Sequence, residues 1–324
     1  GVYKVYQDYT KPLSLMPSHA YLAISRAEKE KQLSVKTEFD EANSLSQATD
    51  IFIPKQATNL QEILQEALQD GIKRLLHPSL EREFRSDKKE QSDREAIDIF
   101  GQNVEALLLS SPVKGKTIMG FDPAYRTWCK LAIIDPTGKV LDHTVVYPTD
   151  PQNDIEGASK KILELITQHS IDLICIGNGT ASRESEQFIA NLITRNNLST
   201  KFLIVSEAGA SVYSASKLAN EEYPDLDVTI RWAINIAHRV QDPLATYVKI
   251  DPKSLWVGQY QHDVDQKLLK EKLDNHIEDA VNRVGVDLNT ASRALLQHIA
   301  WISETMAKNI TERREGEGVF TTRS

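Results

Sequence analysis

Residues 117–205 carry the most restrictive pattern in the chain. Three β-type runs come first: Thr117-Ile118-Met119-Gly120-Phe121, Leu131-Ala132-Ile133-Ile134 and Val140-Leu141-Asp142-His143-Thr144-Val145-Val146-Tyr147. Asp135-Pro136-Thr137-Gly138 lies between the second and third and has the composition of a hairpin turn. Apolar residues three and four apart then predict a helix over 155–169, followed by a buried-type strand at 171–176. A helix over 182–195 and a strand at 202–205 complete the series. Antiparallel hairpins followed by strand–helix alternation predict one mixed sheet with helices on its faces.

The flanks read differently. Residues 60–68 place leucine, isoleucine and alanine on one helical stripe with Asn59 as N-cap, and His77-Pro78 reads as the stop. A second long helix is expected from Ser79 to Leu109, its charged half a solvated face of i,i+4 pairs and its apolar half formed by Ile97, Ile99, Phe100, Val104, Leu107 and Leu108. Ser110-Ser111-Pro112-Val113-Lys114-Gly115-Lys116 is a breaker-rich connector. From Asp251 onward short helical pieces are expected. The 324 residues suit two or three domains, and the composition shifts divide them as a helical region 1–112, a sheet domain 113–250 and a second helical domain 251–324.

No run approaches the roughly 20 apolar residues of a membrane span, and residues 1–3 open no basic-then-apolar secretory signal. The two cysteines, Cys129 and Cys175, read as reduced thiols of a cytoplasmic protein. A net charge of −8 argues against nucleic-acid binding spread over the whole surface, because counterion release from phosphate favours basic proteins. Binding through local patches or backbone donors stays open.

Three acids follow or adjoin the predicted strands and helices: Asp122 after the first strand, Glu207 after the last, and Asp242 in Arg239-Val240-Gln241-Asp242-Pro243. Acids converging at one sheet edge can hold Mg²⁺ or Mn²⁺ for in-line attack on phosphate; the alternative is that Asp122 and Asp242 are caps or turn residues beside proline. Gly177-Asn178-Gly179-Thr180 joins a strand to a helix. It reads either as a phosphate cradle or as a turn capped by Thr180 or Ser182. His262-Asp263 lacks a second ligand at metal spacing, and Ser211, Ser214 and Ser216 read as a polar helix start with no nucleophile signature.

The strand-Asp motif Gly120-Phe121-Asp122-Pro123-Ala124-Tyr125-Arg126, in its setting, resembles the YqgF branch of the RNase H-like fold. The strings at 176–186, 207–216, 249–254 and 258–264 narrow this, and the chain resembles the Tex family of bacterial transcription accessory proteins over essentially its whole length. The resemblance implies a multidomain α and α/β protein: an N-terminal helical region, an RNase H-like mixed-sheet domain and C-terminal tandem helix-hairpin-helix motifs. It also implies that the start without Met and the end at Ser324 leave out the family's C-terminal OB-type RNA-binding module and part of the N-terminal region.

The function implied is binding of RNA or DNA with little sequence preference and no required cofactor, with RNA polymerase as partner. The contacts expected are Gly285 and Val286 in the first hairpin, Trp301, Ile302 and Ser303 in the second, the basic cluster Lys308, Arg313 and Arg314, and the loop Gly177, Asn178, Gly179, Thr180. Backbone N–H groups at such bends hold one phosphate and read no base, which reconciles binding with an acidic chain. The rival is a divalent-metal nuclease using Asp122, Glu207 and Asp242, with Mg²⁺ or Mn²⁺ needed in that case only; a third reading is a scaffold whose N-terminal helices dock polymerase components. Against the nuclease, Asn178 stands where the resolvases of this fold end their fourth strand in glutamate. The chain also departs from the family at Trp128, Trp256 and Trp301, which stand where its members carry glycine.

Overall fold

A computed structural model describes residues 1–53, 60–125, 128–318 and 320–321, without the side chains of 315 and 317. Asn59, Arg126, Thr127, Val319 and the last three residues lie outside this set. The chain divides into two compact units, Gly1–Ile99 with Tyr260–Leu269, and Phe100–Gln259 with Lys270–Ser324.

The first unit is helical: α1 (Ser18–Lys29), α2 (Glu41–Phe52), α3 (Gln61–Gly71) and most of α4 (His77–Leu108). Tyr21, Leu22, Ala23, Ile72 and Ile97 are buried in it. His77-Pro78 does not stop the helix as expected. The backbone passes from α3 through a π-helical turn, Ile72–Leu76, directly into α4. The widened turn, in which the His77 N–H reaches the Ile72 carbonyl five residues back, is where the run admits Pro78, whose missing N–H leaves one helical bond unmade. The charged half of α4 does carry the i,i+4 pair Lys89–Asp93, but Asp93 is buried and accepts the Asp265 N–H at 3.1 Å, while Lys89 reaches the Asp263 carbonyl at 3.0 Å. That stretch is therefore partly an internal seam.

The second unit is built on a five-stranded sheet in the order β3-β2-β1-β4-β5. Its strands are β1 (Ile118–Asp122), β2 (Cys129–Ile134), β3 (Val140–Val146), β4 (Leu173–Gly177) and β5 (Lys201–Val205). The first three are antiparallel and the last two join β1 in parallel. Asp135 sets the β2–β3 turn: its Oδ1 accepts from Thr137 N–H at 2.7 Å and Lys139 N–H at 3.0 Å. The crossover helices α5 (Ile155–His169) and α6 (Ser182–Arg195) pack Ile162, Leu165 and Ile189 on Met119, Phe121 and Leu131.

After β5 come α7 (Ala210–Ser214), α8 (Lys217–Glu222), α9 (Val228–Gln241) and α10 (Pro243–Tyr247). Helix α9 covers the opposite sheet face, burying Ile236 and Ala237 against Ile118, Ile134 and Cys175. Gly120 makes this approach possible: a Cβ there would overlap the Ala233 carbonyl oxygen and stand 3.1 Å from Ala237 N. Both cysteines are buried and free.

The C-terminal elements are α11 (Gln266–Val284), α12 (Arg293–Leu296) and α13 (Glu304–Glu317). Helix α11, at 19 residues, is longer than the short pieces expected. No described helix is long and apolar enough to cross a membrane.

Candidate nucleic-acid interface

Asp122 ends β1, and the hairpin register places it directly opposite Lys130 of β2. Directly opposed residues share a sheet face, here the one that α9 covers, and both side chains are buried. Burial raises the Asp122 carboxyl from the ordinary 3.8 to about 7; Lys130 opposes the rise and the charge of Glu207 adds to it.

Glu207 follows β5 by two residues, beside the end of β4 because Gly177 pairs with Val205. Its N–H donates to Asn178 Oδ1 at 3.1 Å, and its carboxylate accepts from the Gly179 N–H. A Cβ on Gly179 would overlap Oε1, and one on Gly177 would stand 2.5 Å from Oε2. The glycines thus leave room for a carboxylate of the same chain. Burial raises the Glu207 pKa, against the Gly179 N–H and the charge of Arg239.

Arg239, from α9, is buried and donates from Nε to Asn235 Oδ1 at 2.8 Å and from Nη1 to the Ser206 carbonyl at 2.6 Å. Its guanidinium lies 5.0 Å from the Tyr247 ring centroid. Asp242 is spent elsewhere. Its Oδ1 accepts the Ala245 N–H at 3.0 Å and caps α10, the alternative that the proline beside it suggested.

Of the three acids, then, two are electrostatically coupled and the third caps a helix. Among the described residues no three His, Cys, Asp or Glu side chains gather as a metal-holding group. Lys130 and Arg239 already supply positive charge to the pair, and a hard divalent ion takes oxygen ligands. Glu207 Oε2 is buried without a hydrogen-bond partner, but with Asp242 turned to its cap the remaining pair offers too few oxygen ligands to fit such an ion.

The Gly177–Thr180 loop departs from expectation in its cap. Neither Thr180 nor Ser182 caps α6; the N-cap is Ala181, left-handed at φ 63° and without a side-chain hydrogen bond. Asn178 and Thr180 are exposed, while the inner side of the loop holds Glu207. Other polar groups have structural partners: Asp263 pairs with Arg26 at 3.2 Å, Ser216 caps α8, and Ser214 donates to the Ser211 carbonyl.

The two C-terminal bends are at the surface. Gly285 closes α11 with its N–H on the Val281 carbonyl at 3.1 Å. It is exposed at φ 78°, and nothing lies within 4 Å of where its Cβ would be. Val286 is half-buried; Asp287 Oδ1 accepts the Asn289 N–H at 2.9 Å, and Ser292 caps α12.

In the second bend Ala300 N–H donates to Asn282 Oδ1 at 3.2 Å and Ile302 N–H to the Ile299 carbonyl at 3.0 Å. Trp301 stands 95% exposed, and Ser303 caps α13 through the Met306 N–H. Lys270, Asp274, Glu278 and His298 line the depression beside this bend.

The basic cluster is partly internal. Arg314 Nη1 donates to the Leu288 carbonyl at 3.0 Å and the Ala291 carbonyl at 2.8 Å, tying α13 to the first bend. Arg313 lies 5.8 Å from the Phe320 ring centroid, and Lys308 pairs with Glu312 at 3.5 Å. Sequence reasoning missed Asn282, and also Asn289, whose amide exchanges two hydrogen bonds with the Phe320 backbone.

A mixed 3-2-1-4-5 sheet crossed by α9, followed by helices joined through exposed bends, defines an RNase H-like domain with a helix-hairpin-helix region. Family models agree: Tex central region-like over residues 2–100, Tex protein YqgF-like domain over 116–241 and helix-hairpin-helix motif over 281–324. The chain belongs to the Tex family.

It is 49% identical over 323 residues to "Uncharacterized protein YdcI" of Bacillus subtilis, covering 100% of this chain and 45% of that protein. It is 44% identical to "Protein tex" of Bordetella pertussis (98% and 42%). It is likewise 44% identical to human "S1 RNA-binding domain-containing protein 1" (98% and 33%). The chain spans less than half the length of these relatives.

Proposed function

We propose that this chain is the nucleic-acid-gripping portion of a transcription accessory protein and that it holds RNA or DNA by its sugar–phosphate backbone with little regard to sequence. The observation that carries this is the exposure of both bends in the helix-hairpin-helix region, each followed by a serine-capped helix. The Gly285, Ala300 and Ile302 amides donate within the chain, so the donors we assign to phosphate oxygens are those of Val286 and Trp301, an arrangement that positions a strand without reading bases. A chain of net charge −8 can hold a polyanion this way because few side-chain cations are needed. Membership of the Tex family and a relative named for an S1 RNA-binding domain support the reading, and RNA polymerase is the partner we assign.

The sheet domain serves as scaffold and cuts no phosphodiester. Asp122 is kept close to neutral by burial, Glu207 faces the Gly179 amide and the charge of Arg239 with one oxygen unpartnered, and Asp242 caps α10; two acids are too few for a metal pair spaced about 4 Å apart.

Titrating labelled single- and double-stranded RNA and DNA against salt, with and without Mg²⁺ or Mn²⁺, tests both statements. Binding is expected to weaken with salt, at a log–log slope on duplex DNA of about −2 to −4, corresponding to a few phosphates. The nucleic acid is expected to remain intact in either metal. Absence of any complex at low salt would overturn the binding reading. Metal-dependent cleavage that Asp122→Asn abolishes would overturn the scaffold reading.

A further inference from the structure

Three of the chain's four tryptophans sit in left-handed backbone: Trp128 at φ 35°, Trp256 at φ 51° and Trp301 at φ 72°. Residues other than glycine adopt positive φ in a few per cent of cases, so three of four by chance is on the order of 1 in 10,000. The places are those where chains turn on glycine. Trp128 precedes β2, Trp256 is the left-handed C-cap of the 3₁₀ turn Pro252–Leu255, and Trp301 is the residue at the tip of the second bend.

Packing compensates little of the strain: the Trp128 ring meets Tyr147 edge-on at 5.8 Å between centroids, while Trp256 and Trp301 stand largely in solvent. The three residues are 46%, 77% and 95% exposed, in that order. The fourth, Trp232 in α9, buries its indole N–H without a partner. Tryptophan, the largest side chain, normally occupies sites where its area is covered and its N–H bonded. Trp232 meets the first condition, packing against the core cluster under α9; the other three do not.

We infer that in its host this chain carries glycine at positions 128, 256 and 301, through one codon. UGA is read as tryptophan in some genetic codes and as glycine in others, so a gene from a host of the second kind, translated by the first, shows tryptophan wherever glycine is inserted. A codon acts without regard to the fold, which explains why unrelated turns before β2, after a 3₁₀ turn and before α13 share one misfit. Glycine removes the steric penalty at each turn. At 301 it also bares the backbone of the second bend.

Three measurements test this independently of nucleic-acid binding. The gene should carry UGA at all three positions, and UGG at any of them would overturn the inference. Peptide sequencing by mass spectrometry of the protein isolated from its host should read glycine at 128, 256 and 301; tryptophan at those positions would refute it. In the purified chain, Trp128→Gly, Trp256→Gly and Trp301→Gly should each raise the folded-to-unfolded ratio by about 5- to 30-fold. A ratio unchanged or lowered in all three variants contradicts it.

Discussion

Substituting alanine for Gly120 is expected to cost about 3 kcal/mol or more of folding stability, one of the two largest effects in the molecule. The added methyl would overlap the Ala233 carbonyl oxygen and come within 3.0 Å of its carbon and 3.1 Å of Ala237 N. These are backbone atoms of α9, so no rotamer change relieves the clash. The helix itself must move off β1, opening the packing of Ile236 and Ala237 on Ile118, Ile134 and Cys175. Gly285→Ala is the control: its Cβ meets nothing within 4 Å, and only the φ of 78° is strained, a penalty of about 1–2 kcal/mol. Urea unfolding of the two variants separates these causes. Equal losses would mean that α9 does not press on the sheet as closely as described.

The second large effect concerns pH. The Asp122 carboxyl is raised from 3.8 to about 7, chiefly by burial, so the folded state binds its proton more tightly than the unfolded state does. The stability this supplies is complete below about pH 4 and is lost as pH rises through about 7, amounting to about 4 kcal/mol. Asp122→Asn keeps the shape and cannot ionise. The difference in unfolding free energy between variant and parent should therefore grow in favour of the variant from pH 4 to 8, then level off. A difference that stays flat with pH would show that Asp122 is ionised in the fold throughout, its charge met by Lys130.

The strands and crossover helices of the sheet domain were legible because their signals are local. Apolar spacing placed α5 and α6 at their observed bounds, and the Asp135–Gly138 turn announced the β2–β3 hairpin. The π turn before Pro78 was not legible, since proline reads as a stop unless the preceding hydrogen-bond pattern is known. At the carboxylate end, Asp122 and Glu207 stood out as acids after strands, yet their neutralising partners did not. Lys130 was within reach of sequence reasoning, because the hairpin register brings it opposite Asp122. Arg239 and the seating of Glu207 between Gly177 and Gly179 depend on how α9 crosses the sheet and on the β4–β5 pairing. Both are contacts between segments distant in sequence. In the hairpin region the same limit hid Asn282 and Asn289, whose partners lie 18 and 31 residues away.

The most direct test of backbone-mediated grip is the affinity of a labelled duplex for the parent chain, Trp301→Gly and Gly285→Leu at one low salt concentration. Neither substitution alters charge, and a side chain at 285 projects into open space, where a phosphate would approach. The account predicts movement in opposite directions: Trp301→Gly binds more tightly, and Gly285→Leu binds at least about tenfold more weakly, a change of about 1.4 kcal/mol. Affinities that coincide for all three proteins would contradict it.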